Sequence, residues 1–261
     1  MSEKRSRLLL SGDGFVRGDL AKLEKAEVLD RFGDRVADVL GVIGDGKEAT
    51  VYACAAAGSS GPAFLAAKVY RAQKFRAFRG GNAYAGKRTP VGGRARRAIE
   101  AGSEKGREFA QREWIGWEWQ TLSRLHAAGT SVPEPIARSD VAILMELVGD
   151  EGQPAPKLVH VELSPAQART AFDSVLRDVE DFLDLHLVHG DLSAYNVLWH
   201  DDRARVIDVP QAIDLHGRHD GYAYLARDVD NLARYFARYG LSTRDFALRT
   251  WRRYERGQLG R

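Results

Sequence analysis

HGDLSAYN, at residues 189–196, is the most informative stretch of this chain, together with the run RVIDV at 205–209. A short loop of this composition can present the carboxylate of Asp191 to a substrate hydroxyl while the amide of Asn196 turns toward a divalent ion. Asp208 ends an apolar run typical of a strand, and its carboxylate can complete the metal site. Asp and Asn also cap ordinary turns, but three metal-compatible groups in this order favour the metal and nucleotide half of a phosphotransferase.

A candidate phosphate-binding loop lies upstream, in the sequence GVIGDGKEATVY at 41–52. Its glycines let backbone amides approach phosphate oxygens, and the flanking apolar residues predict a hairpin. Taken alone, a Gly-Asp-Gly turn is more typical of a plain hairpin. The strand-like run 66–70 adds Lys68, a charge among apolar neighbours that is costly to bury unless it has partners. Phosphate oxygens and a helix carboxylate would be such partners, so Lys68 is the candidate phosphate ligand.

The carboxylate partner of Lys68 is expected on the next long helix. The spacing of Trp114, Trp117, Leu122 and Leu125 predicts a helix over 105–128, with Gly129 as the stop. Glu113 and Glu118 are both candidates. We favour Glu118, because it lies one turn after Trp114 on the face that must pack against the sheet. A solvated glutamate on the helix flank is the alternative.

Four further elements are predicted from the pattern of apolar and turn residues. A hairpin is expected from 196–199 and 205–209 around the turn Asp201-Asp202. A helix should begin after Ser164 as N-cap, with Pro165 in its first turn, and run to about His186. Two more helices are expected over 222–239 and 243–256.

These motifs resemble the RIO family of atypical serine/threonine protein kinases. The matching segments are Gly46-Lys47-Glu48-Ala49, Ala67-Lys68-Val69-Tyr70, Trp114 with Glu118, Val132-Pro133-Glu134-Pro135-Ile136, His189-Gly190-Asp191-Leu192-Ser193 with Asn196, and Ile207-Asp208-Val209 with Gln211. The resemblance covers about residues 39–239. It implies an α+β, two-lobed protein-kinase-like fold, with a β-rich N-lobe and a truncated helical C-lobe that lacks an activation segment.

The resemblance also implies a role for each matching residue. Lys68, Glu118 and Asp191 would be the catalytic set, and Asn196 and Asp208 would hold Mg²⁺ or Mn²⁺. ATP would be bound by Gly44, Gly46, Lys47, Glu48, Ala49, Val51, Lys68, Met145, Glu146 and Val148. Met145, Glu146 and Val148 would form the adenine-binding segment, in which the Glu146 carbonyl and the Val148 amide would bond the adenine edge. The run 141–148 is equally typical of an ordinary buried strand. Asp228, which with Asn231 also matches the family pattern, would hydrogen-bond the backbone of the catalytic loop, residues 189–196.

Two departures from ordinary protein kinases bear on regulation and rate. Gly190 stands where those enzymes carry an arginine that clamps a phosphorylated activation loop, so no such switch is expected. Ser193 replaces a lysine that helps to neutralise the transferring phosphoryl group. Slow turnover is therefore expected.

Composition predicts one compact cytoplasmic enzyme. The 261 residues, 44% of them hydrophobic, can bury a two-lobed core. We expect an N-terminal extension with a helix over 1–38, an N-lobe over 39–148 and a C-lobe over 149–261. The single cysteine, Cys54, excludes an intramolecular disulfide, and neither a signal sequence nor a membrane-spanning run is recognised.

A basic stretch interrupts the N-lobe. Arginines and lysines dominate 71–112, and glycines in its middle predict a flexible loop at about 76–104. The formal net charge is only +3, so the basicity is local. A solvated insertion is one interpretation. The other is an electrostatic arm that docks on RNA, a ribosomal particle or an acidic protein.

Three functions remain open from the sequence. The leading one is an ATP-dependent kinase that transfers the γ-phosphate to a serine or threonine hydroxyl of a protein, including its own chain. The second is a small-molecule phosphotransferase resembling aminoglycoside kinases, which share a His-Gly-Asp loop. The third is an ATPase that times a step of ribosome assembly, suggested by Ser193 and by the basic loop.

Overall fold

The computed structural model describes residues 12–58, 61–71, 97, 99 and 101–259. The first half of the chain is built on one antiparallel five-stranded sheet in the order β1-β2-β3-β5-β4. Its strands are β1 (Val36–Asp45), β2 (Ala49–Ala56), β3 (Phe64–Tyr70), β4 (Pro135–Arg138) and β5 (Ala142–Glu146). The expected hairpin over 41–52 is confirmed by the pairing of β1 with β2.

A helix covers each face of this sheet. Helix α1 (Gly12–Phe32) packs Val28 and Phe32 onto one face, where Tyr52 is fully buried. There the Tyr52 hydroxyl donates to Glu24 at 2.7 Å, so the helix is joined to the sheet by a buried hydrogen bond. Helix α2 (Glu104–Ala127) packs Ile115 against Tyr70 and Ile143 on a second cluster.

The predicted bounds of α2 agree with the structure to within one residue. Ser103 is its N-cap and accepts a hydrogen bond from the Gly106 amide at 3.1 Å. Gly129 follows with a positive φ of 80°, a conformation that glycine adopts at little cost. Trp117 extends from this helix to the second half of the chain, where its indole Nε1 donates to the Ala212 carbonyl at 3.1 Å.

The second half is mainly helical. Its helices are α3 (Pro165–Asp184), α4 (Gly221–Phe236) and α5 (Phe246–Glu255), and its short strands are β6 (Gly149–Asp150), β7 (Gln153–Pro154), β8 (Leu187–Val188), β9 (Val197–His200), β10 (Arg203–Val206) and β11 (Ile213–Asp214). One large apolar cluster fills this half, and residues such as Val175, Leu183, Leu232 and Phe236 are fully buried in it. The fold class is thus confirmed as α+β, with a β-rich first part and a helical second part.

Several predicted bounds are wrong by a few residues, and backbone dihedrals explain most of the differences. Helix α3 has the expected Ser164 cap, completed by Gln167 in a capping box, but it ends before His186, which has φ of 56°. Helix α5 begins at Phe246 instead of Thr243 because Asp245 has φ of 58°. Positive φ cannot continue a right-handed helix. Helix α4 ends at Phe236, and a 3₁₀ turn follows to Tyr239.

The predicted hairpin of 196–199 with 205–209 is confirmed, with a shorter second strand. Val197 pairs with Val206 and His200 with Arg203 around the turn Asp201-Asp202. The strand ends at Val206 instead of Val209 because Asp208 has φ of 65°, which an extended strand does not tolerate. Asp208 therefore lies in a sharp turn beyond the strand.

The link between α2 and β4 joins the two halves. Ser131 donates its amide to Asp178 at 3.0 Å and its hydroxyl to the Ala204 carbonyl at 2.6 Å, and its carbonyl accepts the Val206 amide at 2.7 Å. Burial raises the pKa of the Asp178 carboxyl to about 7. These hydrogen bonds attach the sheet-bearing half to the β9–β10 hairpin.

Most of the basic loop predicted at about 76–104 lies outside the described residues. Among those that are described, no helix is both long and apolar enough to cross a membrane. Residues 209–220, which include the short strand β11, connect Asp208 to α4.

Candidate active site

A buried ion pair lies between the sheet and α2. Lys68, on β3, places its Nζ 2.6 Å from Glu118 Oε1 and 2.7 Å from Asp208 Oδ1. Burial opposes the charge of the ammonium, but the two carboxylates outweigh that effect and raise the pKa of Lys68. Burial also raises the pKa of the Glu118 carboxyl, against the effect of the ammonium. The structure thus brings together three residues that the sequence singled out separately.

Tyr70 belongs to the same cluster, although it was not selected from the sequence. Its hydroxyl donates to Glu118 Oε2, and its ring lies 5.5 Å from the Lys68 ammonium. Residues two apart on a strand share a face, so the spacing of Lys68 and Tyr70 was a signal that could have found it. Both oxygens of Glu118 are therefore bonded, which holds the carboxylate in one orientation.

The catalytic loop and Asp208 are joined through the backbone of Asn196. The Ile207 amide donates to the Asn196 carbonyl at 2.9 Å, which places Asp208 beside the loop. The Asn196 side chain donates its Nδ2 to the Asp191 carbonyl at 2.8 Å. Its Oδ1 is the atom left for a ligand. The carboxylate of Asp191 is exposed, as a group that receives a substrate proton must be.

Neighbouring positive charges favour the ionised form of the Asp208 carboxylate. The Lys68 ammonium lowers the pKa of its carboxyl, and His189 and Lys157 act in the same direction at smaller magnitude, while burial opposes them. Its side chain is still 48% exposed. An ionised carboxylate that is accessible beside a free amide oxygen is a donor set suited to a divalent cation.

Among the described residues, Asn196 and Asp208 are not surrounded by a ready-made metal cluster. Within the described part of the chain, no three His, Cys, Asp or Glu side chains gather into a metal-binding group. Mg²⁺ usually takes one or two carboxylates from the protein and further oxygens from substrate phosphates. Asn196 and Asp208 therefore fit a metal that is bound together with a nucleotide.

The loop is supported from below by α4. Asp228 accepts hydrogen bonds from the Gly190 amide at 2.7 Å and the Leu192 amide at 3.1 Å, and Asn231 donates to the Leu192 carbonyl at 2.9 Å. Arg227 donates to the Gly190 carbonyl. The predicted contact of Asp228 with the loop backbone is confirmed. Burial raises the pKa of its carboxyl.

Gly190 has no room for a side chain. Its φ is 82°, and a Cβ placed on it would lie 2.6 Å from the Gln211 carbonyl oxygen. An arginine at this position would strain the backbone and collide with the segment after Asp208. The absence of the arginine clamp thus follows from the close packing of these two segments.

The predicted phosphate loop lies at the turn between β1 and β2, beside Lys68. Val51 pairs with Lys68 across β2 and β3, and Gly44 pairs with Val51. The Gly46 amide donates to the Ala49 carbonyl at 3.0 Å, while Lys47 is exposed. Arg71 also contributes, although it was not selected from the sequence. It donates to the Gly46 carbonyl, to Asp45 and, at 3.1 Å, to Thr50 Oγ1, so it fixes this turn.

The candidate adenine-binding segment follows β5. Glu146 is bonded on both sides, because Oε2 accepts the Glu134 amide at 3.1 Å and Oε1 lies 3.4 Å from an Arg205 nitrogen. The Val148 carbonyl accepts the Ala155 amide at 2.8 Å. Met145 packs at the junction of the apolar clusters. The adenine contacts of the Glu146 carbonyl and the Val148 amide stay a prediction.

We expect Asp228→Ala to destabilise the protein by about 3 kcal/mol, because it leaves two buried amides without acceptors. Urea unfolding with linear extrapolation measures the difference. Asp230→Ala removes an exposed carboxylate from the same helix and should change the free energy of unfolding little. Equal effects of the two substitutions would contradict the supporting role of Asp228.

A sheet with an ion-paired lysine facing a loop that carries Asp191 and Asn196 defines the class: a protein-kinase-like fold. A family model described as the RIO domain matches residues 50–248, so the chain belongs to the RIO family.

Three curated relatives illustrate the similarity. Serine/threonine-protein kinase rio1 of Schizosaccharomyces pombe is 32% identical over 205 residues, which are 78% of this chain and 39% of that protein. RIO-type serine/threonine-protein kinase Rio1 of Haloferax volcanii is 37% identical over 139 residues, 53% of this chain and 46% of the relative. Human serine/threonine-protein kinase RIO1 is 30% identical over 209 residues, which are 79% of this chain and 34% of the human protein. The match thus spans less than half the length of each relative.

Proposed function

We propose that the chain is an ATP-dependent serine/threonine protein kinase of RIO type that also phosphorylates itself. The observation that carries the proposal is the ion pair of Lys68 with Glu118, joined by Asp208. The residue before Asp208, Ile207, is hydrogen-bonded to Asn196 in the loop that also carries the exposed Asp191. The relatives named as serine/threonine-protein kinases support the same activity. We propose ATP as the phosphate donor and Mg²⁺ or Mn²⁺ as the metal.

In this proposal each residue acts on a stated atom. The oxygen of a serine or threonine hydroxyl attacks the γ-phosphorus, the bond to the bridging β-γ oxygen breaks, and ADP leaves. Asp191 orients the hydroxyl and accepts its proton. Lys68 holds phosphate oxygens, and Glu118 holds Lys68. Asn196 Oδ1 and the Asp208 carboxylate would bind the metal, which supplies charge neutralisation for the phosphates.

The nucleotide would lie between the two proposed lobes, 39–148 and 149–261. The turn with Gly44, Gly46, Lys47, Glu48, Ala49 and Val51 would cover its phosphates. The backbone of Glu146 and Val148, next to Met145, would contact the adenine. This placement of the nucleotide is supported by the hydrogen bonds that fix the phosphate turn and the Glu146 side chain.

The experiment that tests the proposal separates two fates of labelled phosphate. The protein is incubated with γ-labelled ATP and Mg²⁺, with and without an added protein acceptor. We expect label on serine or threonine residues in excess of label released to water. Release to water without label on any hydroxyl would contradict the kinase proposal and favour the assembly-type ATPase, the alternative that Ser193 supports because it removes a cation from the catalytic loop.

We also propose a cytoplasmic location and, through the basic loop, contact with RNA or a ribosomal particle. The only cysteine, Cys54, is buried, and burial raises the pKa of its thiol to about 11. A chain with one unreactive thiol suits a reducing compartment. The loop proposal rests on the basic sequence alone, since residues 72–96 lie outside the described part of the chain.

Replacing Lys87, Arg88, Arg94, Arg96 and Arg97 with serine should weaken RNA binding and flatten its dependence on salt. With each phosphate contact that is removed, fewer counterions are released on binding. The magnitude of the slope of log K against log salt should therefore decrease by about 0.7 to 0.9 per contact. Titration of a labelled RNA at several salt concentrations measures this slope, and the affinity for ATP serves as the control that should not change. An unaltered slope would count against an RNA-binding arm.

A further inference from the structure

Lys157 is an exposed cation on a rigid segment next to the catalytic loop. It immediately precedes a 3₁₀ turn, Leu158–His160, that packs against the turn Ala194–Asn196. In the described part of the chain it forms no ion pair with a carboxylate. Its charge is therefore not neutralised by an ion pair with any described residue.

The backbone around Lys157 is held on both sides. Lys157 forms an antiparallel bridge with Leu198, two residues after Asn196, and the Trp199 amide donates to the Pro156 carbonyl at 3.0 Å. Leu158 is fully buried, and its carbonyl accepts the Tyr235 hydroxyl at 2.8 Å. The Lys157 side chain thus extends from a fixed point beside the β-strand that follows the candidate metal ligand.

The charge of the Lys68 ammonium is already shared between two carboxylates, those of Glu118 and Asp208. Ser193 contributes no cation to the loop. A nucleotide triphosphate carries several negative charges, and its transfer requires cations around the phosphates. Lys157 lies opposite Leu198 in an antiparallel bridge, so the two side chains share a face, and Arg205, opposite Leu198 on β10, reaches Glu146 from the same face.

We propose that Lys157 is a phosphate-binding residue, whose ammonium contacts the nucleotide phosphates from outside the catalytic loop and supplies the cation that Ser193 lacks. The inference rests on the proposed function, because it assumes that a nucleotide occupies this site. It adds a residue to that site which neither the loop motif nor the family resemblance indicates.

The test compares the affinities of Lys157→Met and wild type for ATP, ADP and adenosine by calorimetric titration with Mg²⁺ at low ionic strength. We expect the variant to lose about tenfold in affinity for ATP, less for ADP and nothing for adenosine, because only the phosphates meet the ammonium. Lys157→Arg keeps the charge and should keep most of the affinity. Higher salt should reduce the difference between wild type and Lys157→Met.

Arg203→Met is the matched control, since it removes an exposed cation from the far end of the β9–β10 hairpin. An equal loss for adenosine and ATP, an equal loss in Arg203→Met, or unchanged ATP affinity in Lys157→Met would each overturn the proposal. So would a change confined to the KM for the protein acceptor. Affinity for the nucleotide and label on protein are separate measurements. A wild type whose affinity rises with the number of phosphates but that labels no protein would therefore refute the kinase proposal alone.

Discussion

Asp191→Asn should lower phosphate transfer to protein hydroxyls by about 10²- to 10⁴-fold and leave the affinity for ATP unchanged. The amide has nearly the shape of the carboxylate but cannot accept the proton of the substrate hydroxyl. The loop should keep its conformation, because it is the backbone of Asp191 that bonds Asn196 and His189. Initial rates with γ-labelled ATP, together with calorimetric binding of ATP, measure the two effects separately.

The control for this substitution is Asp184→Asn, which neutralises an exposed carboxylate at the end of α3. It should transfer phosphate at the wild-type rate. Removal of a general base is expected to lower the rate by about 100-fold or more. If Asp191→Asn retained more than about a tenth of the wild-type rate, Asp191 would therefore not be the proton acceptor.

Lys68 is a less informative position for the same question. Lys68→Ala should impair both transfer to protein and release to water, because phosphate positioning serves either reaction. It also leaves the buried Glu118 carboxylate without its cation, and breaking a buried pair costs about 3 to 5 kcal/mol. Lost activity could then reflect unfolding, whereas Asp191 is exposed and has no such partner in the described structure.

Asp208→Asn should abolish the metal-dependent part of the stabilisation by ATP. A ligand present at 100 times its Kd stabilises the folded state by about 2.7 kcal/mol, and a protein that cannot hold the metal with the nucleotide loses most of this. Melting temperatures with ATP alone and with ATP plus Mg²⁺ or Mn²⁺ measure the effect. Asparagine is preferred to alanine here because Asp208 has φ of 65°, which asparagine tolerates better.

Asp202→Asn provides a matched control for Asp208→Asn. Asp202 lies in the hairpin turn and also has a positive φ, 54°, so the same substitution is made in a similar backbone conformation. Its Oδ1 accepts a hydrogen bond from Gln167 Nε2 at 2.7 Å, which asparagine can keep. Its shift with ATP and metal should equal that of wild type. An equal metal-dependent shift in Asp208→Asn and wild type would remove Asp208 from the metal site.

The sequence alone predicted the fold class, and it singled out Lys68, Glu118 and Asp208, whose side chains the structure brings together. The order of Asp191, Asn196 and Asp208 predicted the loop and its hairpin, and helical spacing selected Glu118 over Glu113. These features are local, because period and turn chemistry act over a few residues. The same local rules placed α2 to within one residue of its bounds.

How these residues meet depends on the assembled chain. Lys68 and Asp208 are 140 residues apart, yet their side chains are 2.7 Å apart, and no local pattern encodes that pairing. Tyr70, Arg71 and Lys157 acquire their positions only when the sheet, the phosphate turn and the β9 strand are assembled. The left-handed turn at Asp208 also ends the predicted strand early. Such features depend on packing between distant segments, which overrides local preference wherever buried charges need partners.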